Sequence, residues 1–72
     1  MSQPELEVYP DGVKQWYLHG KLHREDGPAV EYPDGEKFWY LNNKEVSWQQ
    51  VFRQAKTPEI ELRILAAALT NA

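Results

Sequence analysis

The segment HRED, His23 to Asp26, places an imidazole, a guanidinium and two carboxylates next to one another. An enzyme could use such a set for general acid–base work, in which a side chain moves a proton to or from a reacting group. A hydrolytic site also needs a nucleophile with a base beside it. The hydroxyls of the chain are terminal or at predicted helix caps: Ser2, Ser47, Thr57 and Thr70. We therefore expect no catalytic site, and we interpret HRED as a solvated loop in which Asp26 caps the turn before Gly27.

A metal site is a second chemistry that these residues suggest. His19 and His23 together with Asp26 offer ligands of the type that bind divalent cations. A stable site needs three or four converging groups, and the chain has no cysteine to supply thiolate ligands. We therefore expect no metal and no cofactor. The absence of cysteine also excludes disulfides as a means of stabilising so short a chain.

Aromatic residues beside lysines suggest a third chemistry, the binding of single-stranded nucleic acid by base stacking. The aromatic residues are Trp16, Tyr17, Trp39 and Tyr40, and the lysines are Lys14, Lys21, Lys37 and Lys44. Acidic residues interleave with them, and the net charge of the chain is −3, whereas a nucleic-acid binder usually has a basic face. The acidic residues could instead present a negative patch to a basic partner surface. We therefore keep nucleic-acid binding only as a second alternative.

The length of the chain limits what can position any site. Its 72 residues make one domain, 1–72, and a chain of this size buries only about 60% of the surface that its unfolded form exposes. We see no secretory signal, and the uncharged run from Ile64 to Ala72 is too short to span a bilayer. These features predict a soluble protein of the cytoplasm, without a membrane partner.

A repeat organises the first two thirds of the sequence. The stretch YPDGVKQWYLHGK begins at Tyr9, and YPDGEKFWYLNNK begins 23 residues later at Tyr32. In each copy, Pro and Asp favour the middle of a type I turn, and the following Gly accepts a left-handed conformation. The aromatic segments after each turn are strand-like, and HG and NN supply a second tight turn. The pattern predicts two small antiparallel hairpin units.

Strand alternation assigns the aromatic residues to two faces. Trp16 and Leu18 share one face, as do Trp39 and Leu41, and we expect this Trp/Leu face to form the main core. The opposite face has the side chains Tyr17, Phe38 and Tyr40. This second face must be covered by another element or stay half-exposed.

The stretch WYLHGKLHREDGPAVEYPDG resembles the MORN-related repeat variants of bacterial, phage and large-virus proteins, which share a W-Y-L-x-G-K-L-H-R-x-D-G-P-A core. The resemblance covers roughly residues 6–46, and the two repeats are assigned to 5–46. It implies twisted β-hairpin layers and a binding role, with no catalytic residues. The second copy departs from the pattern after Lys44, where EVSWQQ replaces LHREDG. We therefore expect the array to end there and a helical cap, 47–72, to follow.

Two helices are predicted in this cap. Ser47 and Gln50 match a capping box, and the residues at i, i+3, i+4 and i+7 form one apolar face: Trp48, Val51, Phe52 and Ala55. Thr57 followed by Pro58 then begins a second helix, in which Glu59 and Arg63 are spaced for an ion pair.

The second helix is apolar over more of its circumference than a surface helix needs. One stripe consists of Leu62, Leu65, Ala66 and Leu69, and the stripe beside it of Ile60, Ile64, Ala67 and Ala68. Each large aliphatic side chain contributes roughly 1.5–3 kcal/mol when fully buried, and so small a domain can hardly cover them all. We therefore expect this helix, or the Tyr/Phe face of the sheet, to meet another protein. A second copy of the chain is the simplest partner.

The sequence thus predicts an α+β fold: an antiparallel β-meander of two hairpin units, followed by two C-terminal helices. It predicts a small non-enzymatic protein-binding module, a phage or prophage accessory protein that binds and inhibits a host protein such as a defence complex or nuclease. The first alternative is a homo-oligomeric structural or antitoxin-like repeat protein, and a homodimer is expected. The candidate contact residues are Tyr17, Phe38, Tyr40, Leu62, Leu65 and Leu69.

Overall fold

Six short strands and two helices follow one another in a computed structural model that describes residues 3–69. The strands are β1 (Glu5–Val8), β2 (Lys14–Leu18), β3 (Lys21–Leu22), β4 (Val30–Glu31), β5 (Lys37–Leu41) and β6 (Lys44–Val46). The helices are α1 (Trp48–Arg53) and α2 (Pro58–Leu69). The predicted α+β architecture is confirmed. Ser2 and Thr70, two of the hydroxyls considered above, lie outside the described residues.

The two YPDG segments form the predicted turns. The Gly12 amide donates to the Tyr9 carbonyl at 2.9 Å, and the Gly35 amide donates to the Tyr32 carbonyl at 3.0 Å. Both glycines have positive φ, 94° and 96°, which is the conformation that favours glycine at this position. Each turn therefore joins two antiparallel strands in the way the sequence predicts.

The second turn of each copy is also as predicted. His19 and Gly20 have φ values of 52° and 76°, and Asn42 and Asn43 have values of 52° and 68°. Two consecutive residues with positive φ are typical of the type I′ turn, whose twist matches that of the strands it connects.

The centre of the sheet is a strand with an interruption. β3 and β4 run in the same direction along one edge of β2, since Tyr17 pairs with Leu22 and Gln15 pairs with Val30. Between these pairs, the Trp16 carbonyl accepts from the His23 amide at 3.0 Å, and the Trp16 amide donates to the Ala29 carbonyl at 2.9 Å. Residues 24–28 therefore leave their pairing with β2 and the chain returns to it at Ala29, while the Arg24 amide still donates to the Tyr40 carbonyl at 3.3 Å. We call residues 24–28 the excursion.

The sheet has two faces, because side chains alternate along each strand and directly paired residues lie on the same side. The register gives the first face Leu6, Val8, Lys14, Trp16, Leu18, Lys21, Glu31, Lys37, Trp39, Leu41, Lys44 and Val46. It gives the second face Glu5, Glu7, Gln15, Tyr17, Leu22, Val30, Phe38, Tyr40 and Glu45. Both helices pack on the first, which we call the helix face. We call the second the tyrosine face.

The core lies between the second hairpin unit and the two helices. Trp39, Val51 and Ile64 are buried together, and α1 also contributes the partly buried Trp48 and Phe52. The capping box is confirmed, since Ser47 Oγ accepts from the Gln50 amide and Gln50 Oε1 accepts from the Ser47 amide. The Trp/Leu face is therefore the main core in the second copy, as expected. The first copy differs: Trp16 is only half-buried, because no helix covers it.

α2 begins as predicted but makes a different ion pair. Thr57 Oγ1 accepts from the Ile60 amide at 3.2 Å, and Pro58 is the first helical residue. The carboxylate that Arg63 contacts is that of Asp26 in the excursion, at 3.3 Å, so the expected pairing with Glu59 is wrong. The excursion approaches α2 from the sheet and offers Arg63 this partner. Within residues 3–69, no helix is long and apolar enough to cross a membrane.

Candidate protein-binding surfaces

His23, the first residue of HRED, is buried, so the interpretation of the whole segment as a solvated loop is wrong. Only 6% of His23 is exposed. Its Nδ1 accepts from the Asn42 amide at 3.1 Å, and its Nε2 lies 3.0 Å from Glu25 Oε2. When the ring is neutral, its proton therefore lies on Nε2 and is donated to Glu25. The imidazole links the central strand to the turn between β5 and β6.

Arg24 has the largest set of contacts in the segment. Its Nε donates to Asp26 Oδ1 at 2.8 Å, and its Nη1 donates to the Pro28 carbonyl at 3.0 Å and to Glu31 Oε2 at 3.2 Å. The guanidinium also lies over the Trp16 ring, 3.9 Å from the ring centroid. Aromatic stacking and charge-assisted hydrogen bonds thus hold one cation on two sides. Arg24 covers the tryptophan that the helices leave open.

Asp26 connects the excursion to α2. Partial burial raises its pKa, but hydrogen bonds and charge from Arg24 and then Arg63 more than offset this effect and leave the pKa below its ordinary value. The ionised carboxylate therefore bridges two arginines. The charged groups of HRED contact one another, the backbone and α2. The segment therefore has a structural role, which is to connect the sheet to the β5–β6 turn and to α2.

No metal centre is assembled among residues 3–69, where no group of three histidine, cysteine or acidic side chains could hold an ion. His19 is exposed at the turn between β2 and β3, whereas His23 is buried and bonded at both ring nitrogens. The two histidines therefore have different environments and do not converge on one point.

The tyrosine face is the first candidate surface for a partner. Tyr17, Phe38 and Tyr40 are all half-buried, and both helices lie on the other side of the sheet. Tyr17 donates to Gln15, and the ring of Phe38 makes an edge contact with Tyr32, with 5.6 Å between centroids. The predicted Tyr/Phe face thus exists as one aromatic surface without a covering layer from the described chain.

Tyr9 extends this surface beyond the end of β1. Its hydroxyl lies 3.0 Å from Glu7 Oε2 and 3.1 Å from Gln15 Oε1. The neighbouring Tyr17 hydroxyl, and then the Glu7 carboxylate, raise the pKa of the Tyr9 phenol above its ordinary value. The Tyr9 phenol therefore stays protonated, as a hydrogen-bond donor, to a higher pH than an isolated tyrosine.

Charge divides between the two faces of the sheet. The register places the four repeated lysines on the helix face, namely Lys14, Lys21, Lys37 and Lys44. It places Glu5, Glu7 and Glu45 on the tyrosine face. The stripe of tryptophan, tyrosine and lysine that the nucleic-acid alternative needs is therefore not assembled. Its tyrosines and lysines point in opposite directions, Trp39 is buried and Trp16 lies under Arg24.

The outer side of α2 is the second candidate surface. Leu62 is 66% exposed and Leu69 is 78% exposed, whereas Leu65 is half-buried. Ile64, on the neighbouring stripe, is completely buried. At 100° per residue, Leu62 and Leu69 lie nearly opposite Ile64. We call Leu62, Leu65 and Leu69 the leucine stripe.

The sequence reasoning missed two exposed apolar residues on the edge strand. Leu6 is 49% exposed and Val8 is 59% exposed, both on the helix face of β1. Their alternation with Glu5 and Glu7 in ELEV was the available signal, since it is typical of a strand with one apolar side. Neither residue belongs to the core that the helices cover, which is centred on the second hairpin unit.

Comparisons of the chain with protein-family models, with curated proteins and with solved structures found no match. The resemblance to MORN-related repeat variants stays a prediction from the repeat itself.

Proposed function

We propose that this chain is a small non-enzymatic protein-binding module, and that the leucine stripe of α2 contacts its partner. The observation that carries this proposal is the exposure of Leu62 and Leu69, 66% and 78%, on a helix whose opposite side has the completely buried Ile64. Single exposed leucines are common on protein surfaces, but a row of them along one helix marks an interaction site.

The spacing of the stripe supports a helix-mediated contact. Leu62, Leu65 and Leu69 follow at i, i+3 and i+7, which is how an amphipathic helix presents anchors to an apolar groove. Ala66 lies between them and is exposed, so a partner can approach the helix backbone closely there. Each leucine adds roughly 1.5–3 kcal/mol when a partner buries it completely.

The biological role that we attach to this module follows from the resemblance. MORN-related repeat variants occur in phage proteins, so the proposal is a phage or prophage accessory protein acting in the host cytoplasm. It inhibits a host protein, such as a defence complex or nuclease, by occluding a surface of that protein. Occlusion requires apolar anchors at the centre of the contact and no catalytic group.

A homodimer is the second candidate, in which the leucine stripe meets its own copy. The stripe favours a two-fold arrangement, because antiparallel pairing centred between Leu65 and Ala66 places Leu62 opposite Leu69 of the other copy. In that case the repeats serve as a scaffold, as in a structural or antitoxin-like protein.

Paired substitutions test both candidates. The stripe variant, Leu62→Asp with Leu69→Asp, replaces the two exposed leucines of the stripe. The control variant, Leu6→Asp with Val8→Asp, adds the same charge to the exposed apolar residues of β1. We expect cross-linked partners from a phage-infected host lysate to be lost with the stripe variant and retained with the control. Sedimentation velocity at several concentrations identifies the homodimer, which only the stripe variant should dissociate. If the protein is monomeric and the stripe variant recovers the same partners as the control variant, the leucine stripe is not the binding surface.

A further inference from the structure

We infer that the tyrosine face is a docking surface for an extended, arginine-rich segment of a partner protein. This inference deepens the proposed function, since it rests on the chain being a protein-binding module. It concerns a different surface from the leucine stripe, so each can fail independently of the other.

Two pairs of an aromatic ring and a carboxylate lie on this face. Glu5 of β1 is directly opposite Tyr17 of β2, and Glu45 of β6 is directly opposite Tyr40 of β5. Cross-strand neighbours of this kind have Cβ atoms about 4.5–5.5 Å apart, so one cation can contact the ring and the carboxylate together. Tyr17 and Tyr40 are equivalent positions of the two repeat copies, whereas Glu5 and Glu45 come from the two edge strands, β1 and β6, at non-equivalent positions.

The two pairs lie at the same height on the sheet. Gln15, Val30 and Phe38 form one row across β2, β4 and β5. β2 and β5 run in the same direction, so Tyr17 and Tyr40, each two residues further along its strand, lie level with each other. Strands are about 4.8 Å apart, so the two tyrosines are separated by about 10 Å and Glu5 and Glu45 by about 19 Å. An extended chain covers that longer distance in about six residues. A peptide crossing the strands can therefore place a cation at each pair.

The charge of the face specifies a basic occupant. The strand residues of the tyrosine face include three glutamates and no lysine or arginine, as the described register shows. Among residues 3–69, the four ion pairs are made by other carboxylates, so Glu5, Glu7 and Glu45 are not neutralised within the chain. A nucleic acid would meet repulsion from these glutamates, and a second copy would bring the same charges into contact with them.

The helix face of the same protein already contains an arginine that contacts an aromatic ring and carboxylates together. There the Arg24 guanidinium lies 3.9 Å from the Trp16 ring centroid and contacts the carboxylates of Asp26 and Glu31. The tyrosine face presents a ring with a carboxylate twice, but without an arginine from the chain itself. We expect arginine to bind better than lysine, because the planar guanidinium stacks on a ring and bonds a carboxylate at the same time.

The experiment measures binding of a fluorescein-labelled peptide that has a pair of arginines at each end of a Gly-Ser spacer of about four residues. Fluorescence anisotropy is recorded at low and at raised salt with the full chain. Replacing Glu5 and Glu45 by glutamine should weaken binding about five- to tenfold. Replacing Glu59 and Glu61, which are on α2, by glutamine changes the net charge equally and should leave affinity within about twofold. A peptide with lysine in place of arginine should bind more weakly.

Two further variants separate this inference from the proposed function. The double variant Tyr17→Leu with Tyr40→Leu keeps apolar bulk on the face and should also weaken peptide binding. The stripe variant, Leu62→Asp with Leu69→Asp, should leave peptide binding unchanged. Circular dichroism confirms that each variant folds. The inference is overturned if the peptide does not bind at low salt, if both glutamine pairs weaken it equally, or if a single-stranded oligonucleotide binds the face more tightly. If only the stripe variant loses the lysate partners, that result supports the proposed function. The peptide measurements then decide the inference about the tyrosine face.

Discussion

The guanidinium of Arg24 lies 3.9 Å from the centroid of the Trp16 ring, which is not part of the core beneath the helices. We therefore expect this contact to stabilise the first repeat copy, which has no helix of its own. In the second copy, Trp39 is covered by α1 and α2. In the first copy, Arg24 of the excursion covers Trp16 instead, and the carboxylates of Asp26 and Glu31 compensate its charge.

Replacing Arg24 by lysine should therefore destabilise the fold. The ammonium group keeps the charge but cannot stack on Trp16 while also bonding Asp26 and the Pro28 carbonyl. We expect a loss of about 1–3 kcal/mol in the free energy of unfolding, measured by urea denaturation. Arg53→Lys, on the exposed end of α1, is the control and should change stability by less than about 0.5 kcal/mol. Equal effects of the two substitutions would show that the stacked guanidinium is not needed.

The ion pairs of Asp26 predict a dependence of stability on pH. Its pKa in the folded state is below the unfolded value, so its contribution is fully present above the unfolded pKa, about 3.9, and is lost as the pH falls through the folded value. Wild type should therefore be more stable than Asp26→Asn at neutral pH, and the difference should shrink below about pH 4. Chemical denaturation of both proteins from neutral to acid pH measures this difference. A difference that stays constant over the range would mean that Asp26 acts without its charge.

His23 should be more important to stability than His19. The Nδ1 of His23 accepts the Asn42 amide in a buried position, so His23→Ala leaves that amide without its acceptor and creates a cavity. We expect a cost of about 2–4 kcal/mol in unfolding free energy. His19→Asn should cost less than His23→Ala, because asparagine accepts the positive φ of 52° at this exposed turn. Thermal unfolding of both variants provides the comparison. A larger loss of stability for His19→Asn would contradict the structural role of His23.

The sequence predicts those parts of the fold that depend on neighbouring residues. The YPDG turns, the type I′ turns and the helix caps at Ser47 and Thr57 are all confirmed, since each depends on the conformational preference of one or two residues. A loop at HRED was predicted, but its contacts with the β5–β6 turn and with α2 were not. The partner of His23 is Asn42 and the partner of Asp26 is Arg63, and no local pattern brings residues so distant in sequence together.

The candidate surfaces could be predicted only in part. The helical period separates the stripe of Leu62 from that of Ile64, but it does not tell which one faces the sheet, because that depends on how α2 docks. Alternation likewise places Tyr17 and Tyr40 on one face. The glutamates beside them, Glu5 and Glu45, follow from the register of β1 and β6, which the sequence did not give.

The two YPDG glycines offer a matched test of how the repeat copies contact each other. Gly12 and Gly35 have nearly the same φ, 94° and 96°, so alanine at either position meets the same backbone strain. A Cβ at Gly12 would also lie 3.1 Å from Pro33 Cγ, whereas a Cβ at Gly35 meets nothing within 4 Å. We expect Gly35→Ala to cost about 1–2 kcal/mol and Gly12→Ala about 1 kcal/mol more, because the first turn packs against the second. Urea denaturation measures both. The double variant Gly12→Ala with Pro33→Ala removes the crowding and should bring the Gly12→Ala cost down to that of Gly35→Ala. If both alanine variants lose the same stability, the two turns do not pack tightly and the contact between the copies is carried by the strands alone.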